Sequence, residues 1–595
     1  MIHVKMKKRQ ILNKSLYSLM VSLLISVLVL FSCKDDLDGP VDIPDFPPVD
    51  FERGPNFWWP EQKTASNLII LKTTDGESDY MLAESLAGLA AKAVNSGDND
   101  ELVWIEVHGP SMDEWMTRIN NRLNFMSTTT MTTWELTEHL MKKNIVKGYV
   151  LYKFDDSKGD MYESRKKIDI SCNIATTGAG VLNGIIIDES IEQRAIDAGL
   201  TKLFDARNVG YRTLFDSLKK ALNPYLITLA DPKATNLRGY AIANNIFVFD
   251  NHEEDDLNYF FEHIEPVSPV MGWGFGDEAG FNKTISSNGL FSTASNWCHN
   301  IQVSSAGARN YQTQMVKTLD PHDIDWDATG YFHSFAMSDG DNMQWMQTSF
   351  FHNEDYWANP VHGDFPFAWT TCVVNLSQTM PEVVDYMAET QPDNVSIIEY
   401  GGGYQYPDLF AENKNREAAL RELAKKVNVN MKRTGVKVFG FITQDIDGDA
   451  SKEAYQVYAE EIENLTGMIA VQYSEYEEGN GEIFWVTDKE GIHIPVVTAK
   501  FLIWQDLKRD RAGDPWKIAG LINSEASKQH APDEPAATWT MMHSWSYFNN
   551  ARGLTPMRWC IDNLSSDVKV ISIEEMLWRL RMQYYPDEVK AILAE

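Results

Sequence analysis

Cysteine is scarce: there are five in 595 residues. Cys172, Cys298, Cys372 and Cys560 show no CxxC spacing, which argues against a zinc site or a disulfide framework. Buried thiols are the expectation, with room for one disulfide in an exported chain. No HExxH, GxSxG or GxxxxGK[ST] occurs, so zincin, nucleophile-elbow and phosphate-cradle chemistry have no carrier. Gly178-Ala179-Gly180 lacks the spacing of a dinucleotide fingerprint. Asp445-x-Asp447-x-Asp449 opens like a calcium loop, but Ala450 and Gln456 stand where that loop needs Gly and Glu. No metal or cofactor is therefore expected. Positive charge is also short, with 53 Lys and Arg against 85 Asp and Glu and a net charge of −32. Such a chain repels nucleic acid and anionic surfaces. Neutral sugars fit its field better than polyanionic ones.

What is present begins with an address. Lys5, Lys7, Lys8, Arg9 and Lys14 precede an apolar run over residues 16–31 that is short for a membrane span. Leu30-Phe31-Ser32-Cys33 resembles a bacterial lipobox. Residues 1–32 are thus expected to be a signal peptide, with Cys33 the lipid attachment site and the outer membrane its partner. Lys34-Asp35-Asp36 resembles a signal for export to the outer face of that membrane. Loss of the five leading cations would take the net charge from −32 to −37. Residues 33–60 read as an acidic, Pro-rich tether with Pro40, Pro44, Pro47 and Pro48. Phe57-Trp58-Trp59-Pro60 is expected to mark docking on the first domain.

From residue 66 the pattern alternates short apolar strands with helical runs. Strands are expected at 68–71, 103–105, 146–152, 184–187 and 241–249, with helices over 80–93 and 133–142. Such alternation predicts an N-terminal α/β, parallel-sheet region over 61–262, made of more than one small subdomain. From 263 to 595 apolar runs recur at 269–273, 330–337, 367–374, 395–400, 436–443, 468–473, 495–498 and 539–543. A ninth lies at 570–573, and helical segments lie between several of them. Near eight buried strands predict a (β/α)8-like, TIM-type barrel, with distortion; an open doubly wound sheet is the second choice.

In such a barrel the reactive groups gather at the C-terminal strand ends. Glu399 closes the strand 395–400 and opens into Gly401-Gly402-Gly403-Tyr404-Gln405-Tyr406-Pro407. It is the first catalytic candidate, and its structural alternative is a carboxylate bonded to the Gly-loop amides. Asp341, with Asp339 beside it, is the second, although Asp-Gly-Asp-Asn is also strong turn chemistry. Glu475 is the third. Two carboxyls flanking a scissile bond are what glycoside hydrolysis requires, one as acid and the other as base or nucleophile. Substrate contacts are expected from Gly403, Tyr404, Tyr406, Trp273, Glu278, Asn342, His543 and Trp545, because aromatic faces suit sugar rings. Trp504 is a further stacking candidate.

Gly401-x-Gly403-Tyr404-x-Tyr406-Pro407 matches the whole signature of the GxGYxYP family, and the chain is similar to that family over most of its length after the tether. Gly272-Trp273-Gly274 with Asp277-Glu278, and Ser338-Asp339-Gly340-Asp341-Asn342, also resemble it. The resemblance implies glycoside hydrolysis, with small N-terminal domains ahead of the motif-bearing one. It assigns no acid or base. A non-catalytic glycan-capture protein remains the alternative of another class.

Overall fold

The computed structural model describes residues 46–594, apart from 75, 155–168, 251–253, 275, 475, 477, 530–533 and the side chains of 254–256. The expected signal peptide, Cys33 and most of the tether lie outside the described residues, as does Glu475. Among the described residues no helix is long and apolar enough to cross a membrane.

Three small parallel sheets come first. β1 (Asn67–Lys72) lies between β2 (Glu101–Ile105) and β3 (Ser127–Thr132), and β4 (Tyr149–Tyr152) lies between β5 (Ile185–Asp188) and β6 (Lys202–Asp205). The third runs in the order β10 (Leu290–Thr293), β9 (Ser268–Gly272), β7 (Ile227–Leu229), β8 (Phe247–Phe249). Apart from the mostly exposed Ser/Thr edge strand β3 and the partly exposed β6, their strands are largely buried and apolar, as sheets covered on both faces require. The Ala- and Leu-rich helix Glu77–Ser96 packs on both β2 and β5 and stops at Gly97, which takes a left-handed conformation (φ 86°) and returns its N–H to the carbonyls of Ala93 and Val94.

The large sheet is built from β11 (Tyr331–Met337), β12 (Phe367–Thr371), β13 (Val395–Tyr400), β14 (Val438–Thr443), β15 (Gly467–Gln472), β16 (Ile483–Thr487), β17 (His493–Thr498), β18 (Phe501–Ile503), β19 (Ala512–Gly513), β20 (Ala537–Met542) and β21 (Val568–Val570). Its order is β16-β17-β15-β14-β13-β12-β11-β20-β18-β19, with β21 beside β11. Among the described residues only β16 of this sheet runs antiparallel to its neighbour. The sheet curls as a half-barrel. β17 and β18 are pieces of one bent segment, the first laddered to β15 and the second to β20.

The protein is thus mixed α/β with parallel sheets, and several expectations need correction. A closed (β/α)8 barrel is not established by these pairings, because β17 and β18 share one bent segment instead of forming separate barrel staves. The segment 269–273, expected as the first barrel strand, is β9 of the third small sheet, where Ile227 of β7 pairs with Val270. A boundary at 262/263 therefore cuts through a sheet. Residues 241–249 hold the end of a helix (Arg238–Ala243) before β8. Trp58 and Trp59 are fully buried, and both indole N–H groups donate to Asn375 Oδ1, at 2.7 and 2.9 Å. The Trp pair docks on the helix Val373–Thr379 of the large-sheet module, so the last part of the expected tether is core. Cys172, Cys298, Cys372 and Cys560 are all free and buried.

Candidate functional site

The C-terminal ends of β9, β10, β11 and β20 open onto one cavity of about 590 Å³. One wall comes from the third small sheet and carries Asp231, Trp273, Glu278, Asn296 and Trp297. The other comes from the large-sheet module and carries Asp339, Asp341, Asn342, Tyr404, Trp504, His543 and Trp545. A larger hollow, about 980 Å³, runs along β16 past Trp485, Tyr585, Asp445 and Asp447. It holds none of the expected site residues, so size does not single out the chemistry.

The Asp339-Gly340-Asp341 turn is forced against β12. Gly340 N–H donates to Thr370 Oγ1 at 3.0 Å, and a Cβ on Gly340 would stand 1.7 Å from the Thr370 carbonyl oxygen. Only glycine lets the backbone approach that closely. Asp339 sits at φ 66°, a left-handed conformation that costs a non-glycine residue free energy. Trp545 Nε1–H donates to Asp339 Oδ1 at 3.0 Å, and the Ser338 hydroxyl donates to Oδ2. These two donors fix the direction of the carboxylate. Asp341 lies deep in the molecule yet keeps surface on the cavity. Burial, with the negative charges of Asp339 and Glu278 nearby, pushes its carboxyl up to about 8. Asn342 lines the cavity and accepts from Trp345 N–H at 3.1 Å, capping the turn that follows.

His543 is held flat against Trp504, ring centroids 3.8 Å apart and planes within 6°, with Nδ1 2.9 Å from Ser546 Oγ. Burial lowers its pKa against the pull of Asp339 and Asp506, which favours the neutral imidazole. Glu278 opens the helix Glu278–Ser287 just after the Asp277 N-cap. Its Oε1 accepts the Tyr404 hydroxyl at 2.8 Å. Burial raises its carboxyl, opposed by that hydrogen bond and reinforced by Asp339 and Asp277.

Glu399 does not belong to the cavity, which corrects its place as first catalytic candidate. It has no exposed surface. Its Oε2 accepts Val374 N–H at 2.9 Å and its Oε1 accepts Gly402 N–H at 3.1 Å. Burial raises it to about 8, with those two amides pulling down and Asp341 pushing up. Gly403 and Tyr406 are likewise sealed, so neither is a sugar-facing surface. Tyr404 reaches the cavity but is only 6% exposed. Trp273 lines the cavity and stacks on Tyr404 at 6.0 Å.

The sequence reasoning did not name Asp231, Asn296, Trp297 or Tyr476, which also line the cavity. Asp231 follows β7 and Asn296 and Trp297 follow β10, so the strand-end rule would have found them had those short strands been assigned to the site. Among the described residues no group of three or more His, Cys, Asp or Glu side chains is arranged to hold a metal ion.

Comparisons place this geometry in a family. Residues 331–581 match the "GxGYxYP putative glycoside hydrolase C-terminal domain", 224–306 the "GxGYxYP third domain" and 146–222 the "GxGYxYP_N second domain". No curated protein matches the chain. A crystal structure titled as a putative hydrolase from Bacteroides thetaiotaomicron superposes with a TM-score of 0.73 at 20% identity, covering 92% of this chain and 99% of that one. At that identity the likeness speaks for the fold alone. Three consecutive matches spanning 146–581, with the motif at 401–407 inside the last, make this chain a member of the GxGYxYP family.

Proposed function

We propose that this protein hydrolyses glycosidic bonds in a neutral glycan held between the third small sheet and the large-sheet module. One observation carries the reading: the carboxyl groups of Glu278, Asp339 and Asp341, with Asp231 on the same wall as Glu278, line a single cavity together with the rings of Trp273, Trp504 and Trp545. Asp341 is the proton donor. A carboxyl raised to about 8 is still protonated at neutral pH and can give its proton to the departing glycosidic oxygen. An ionised partner carboxyl then attacks the anomeric carbon or takes a proton from the attacking water. Trp545 and Ser338 hold Asp339 so that its charge faces one direction as positive charge develops on the sugar. The tryptophan faces supply sugar stacking, and the surplus negative charge of the chain disfavours polyanionic glycans.

The test is a panel of neutral glycans assayed with wild type and with Asp341→Asn. Turnover by wild type, lost in the variant while binding persists, supports hydrolysis. Binding by wild type with no turnover of any glycan would favour the capture reading. We also propose that the chain is lipid-anchored through Cys33 to the bacterial outer membrane, facing outside. The reading rests on the cationic stretch, the apolar run and Leu30-Phe31-Ser32-Cys33. Metabolic palmitate labelling that survives Cys33→Ser would refute it.

A further inference from the structure

We infer that Glu278 is the carboxyl that works opposite Asp341, and that Tyr404 of the signature loop is its positioning residue, the loop acting as a clamp between modules. What Glu278 does rests on the glycosidase reading above; how it is held does not.

The signature tyrosines are poorly placed as sugar platforms. Tyr406 is fully buried and Tyr404 nearly so. The face of Tyr404 is stacked by Trp273, and Tyr406 meets it edge-on at 5.6 Å. What the loop offers instead is a set of hydrogen bonds across the module boundary. Tyr404 N–H donates to Ser292 O, and Ser292 N–H to Tyr404 O, both at 2.8 Å, in an antiparallel bridge. Tyr406 N–H donates to Ser286 Oγ at 3.0 Å, and Ala411 N–H to Ser286 O at 2.7 Å. Ser286 lies in the last turn of the helix Glu278–Ser287, and Glu278 is its first residue. The loop therefore grips that helix at both ends, with the Tyr404 hydroxyl on the carboxyl and the Tyr406 hydroxyl 3.2 Å behind it. The glycines make the path possible. Gly401, Gly402 and Gly403 take φ of 80°, 73° and 132°, and a Cβ on Gly403 would meet Phe291 Cδ2 at 2.3 Å.

Opposition follows from chain origin. Asp339 and Asp341 are two residues apart on one loop, so both come from one wall. A bond cleaved between two carboxyls needs the second from the facing wall. Glu278 lines that wall and is close enough for its charge to raise Asp341. Asp231 shares the wall, its Oδ1 accepting Lys233 N–H at 2.9 Å within its own turn, but the charges that raise Asp341 are those of Asp339 and Glu278.

Tyr404→Phe keeps the ring and the backbone bridge and removes only the hydroxyl. On a glycan that the wild type turns over, kcat should fall about 10–100-fold with KM within about threefold, as expected for a misaimed group. The acid limb of the pH profile should move up, because a donor to the ionised carboxyl has gone. A readout independent of turnover is the ¹³C-carboxyl titration of Glu278, assigned by the signal lost in Glu278→Gln. A higher midpoint in Tyr404→Phe supports the clamp, and an unchanged midpoint overturns it. A moved midpoint with unchanged kcat overturns the catalytic role of Glu278. If the wild type cleaves no glycan, the hydrolase reading fails while the titration still decides the clamp. Should Tyr404→Phe not fold, Glu278→Asp, which draws the carboxyl back by one methylene from the Tyr404 hydroxyl, should lower kcat about 10–100-fold with KM within about threefold, and a kcat within about twofold of wild type overturns the role of Glu278.

Discussion

Asp341 and Glu399 invite comparison. Asp341 follows β11 and Glu399 lies at the end of β13 in the same sheet, and burial pushes each up to about 8, Asp341 with help from Asp339 and Glu278, Glu399 with help from Asp341. One keeps surface on a cavity between two modules. The other has both oxygens engaged by backbone amides and no surface at all. A raised carboxyl at a strand end therefore does not identify a catalytic group. What separates the two is whether a substrate atom can reach the oxygen. Glu399 ties the start of the helix Val373–Thr379 to the glycine loop, and so helps hold the signature turn from which Tyr404 extends.

The comparison breaks most decisively at turnover. Asp341→Asn should cost about 10²–10⁴-fold in kcat with the fold intact, the usual loss for a general acid. Glu399→Gln should leave kcat within a few-fold once the protein is folded. The reverse pattern, measured on the same glycan with circular dichroism as the folding check, would exchange the two roles. The high-pH limb of kcat should fall near 8, where Asp341 gives up its proton.

Stability separates them in the other direction. A Cβ at Gly403 would overlap Phe291 at an angle that L residues avoid, so Gly403→Ala should cost about 1–3 kcal/mol in a urea melt. Glu399→Gln should cost a similar or smaller amount, about 1–3 kcal/mol, because an amide cannot accept from both N–H groups and leaves one unmatched. The pH sign follows from the raised carboxyls. Asp341 and Glu399 bind protons more tightly folded than unfolded, so their contribution is present below about 4 and is lost as pH rises toward about 8. Tm should therefore fall from pH 5 to pH 9, and Glu399→Gln should flatten the slope. An unchanged slope would mean that Glu399 does not titrate as its burial requires.

Much of this architecture was legible because buried parallel strands are written as continuous apolar runs. Val395–Tyr400 appears with the expected bounds, and Tyr331–Met337, Val438–Thr443 and Ala537–Met542 lie within two residues of theirs. Sheet membership was not legible. Ser268–Gly272 reads like a barrel strand but pairs with β7, because pairing depends on partners far along the chain. β3, Ser-Thr-Thr-Thr-Met-Thr, has no apolar run and was missed, since it is a mostly exposed edge strand. The Asp-Gly-Asp-Asn turn, Glu278, Trp273, His543 and Trp545 were picked out by strand-end position, and the structure brings them to one cavity. Glu399 satisfied the same rule and was sealed by two amides that no local pattern reveals.

The smallest effect should come from the least protected ring of the site. Trp297 follows β10 on the third-sheet wall and is 62% exposed. Gln344 Oε1 accepts its main-chain N–H at 2.9 Å, which ties this rim to the opposite module without using the indole. Removing an exposed ring of this kind changes stability by about 0.5 kcal/mol or less. If the ring stacks on sugar, its loss weakens binding by about 0.5–1.5 kcal/mol, or roughly 2–10-fold in KM, with kcat nearly constant. Trp297→Ala assayed against a short and a long oligosaccharide distinguishes the outcomes, because a rim contact matters only to a chain long enough to reach it. An equal KM for both lengths would confine recognition to the buried rings beside Asp339 and Asp341, and the third-sheet wall would then contribute Glu278 but no sugar-stacking rim.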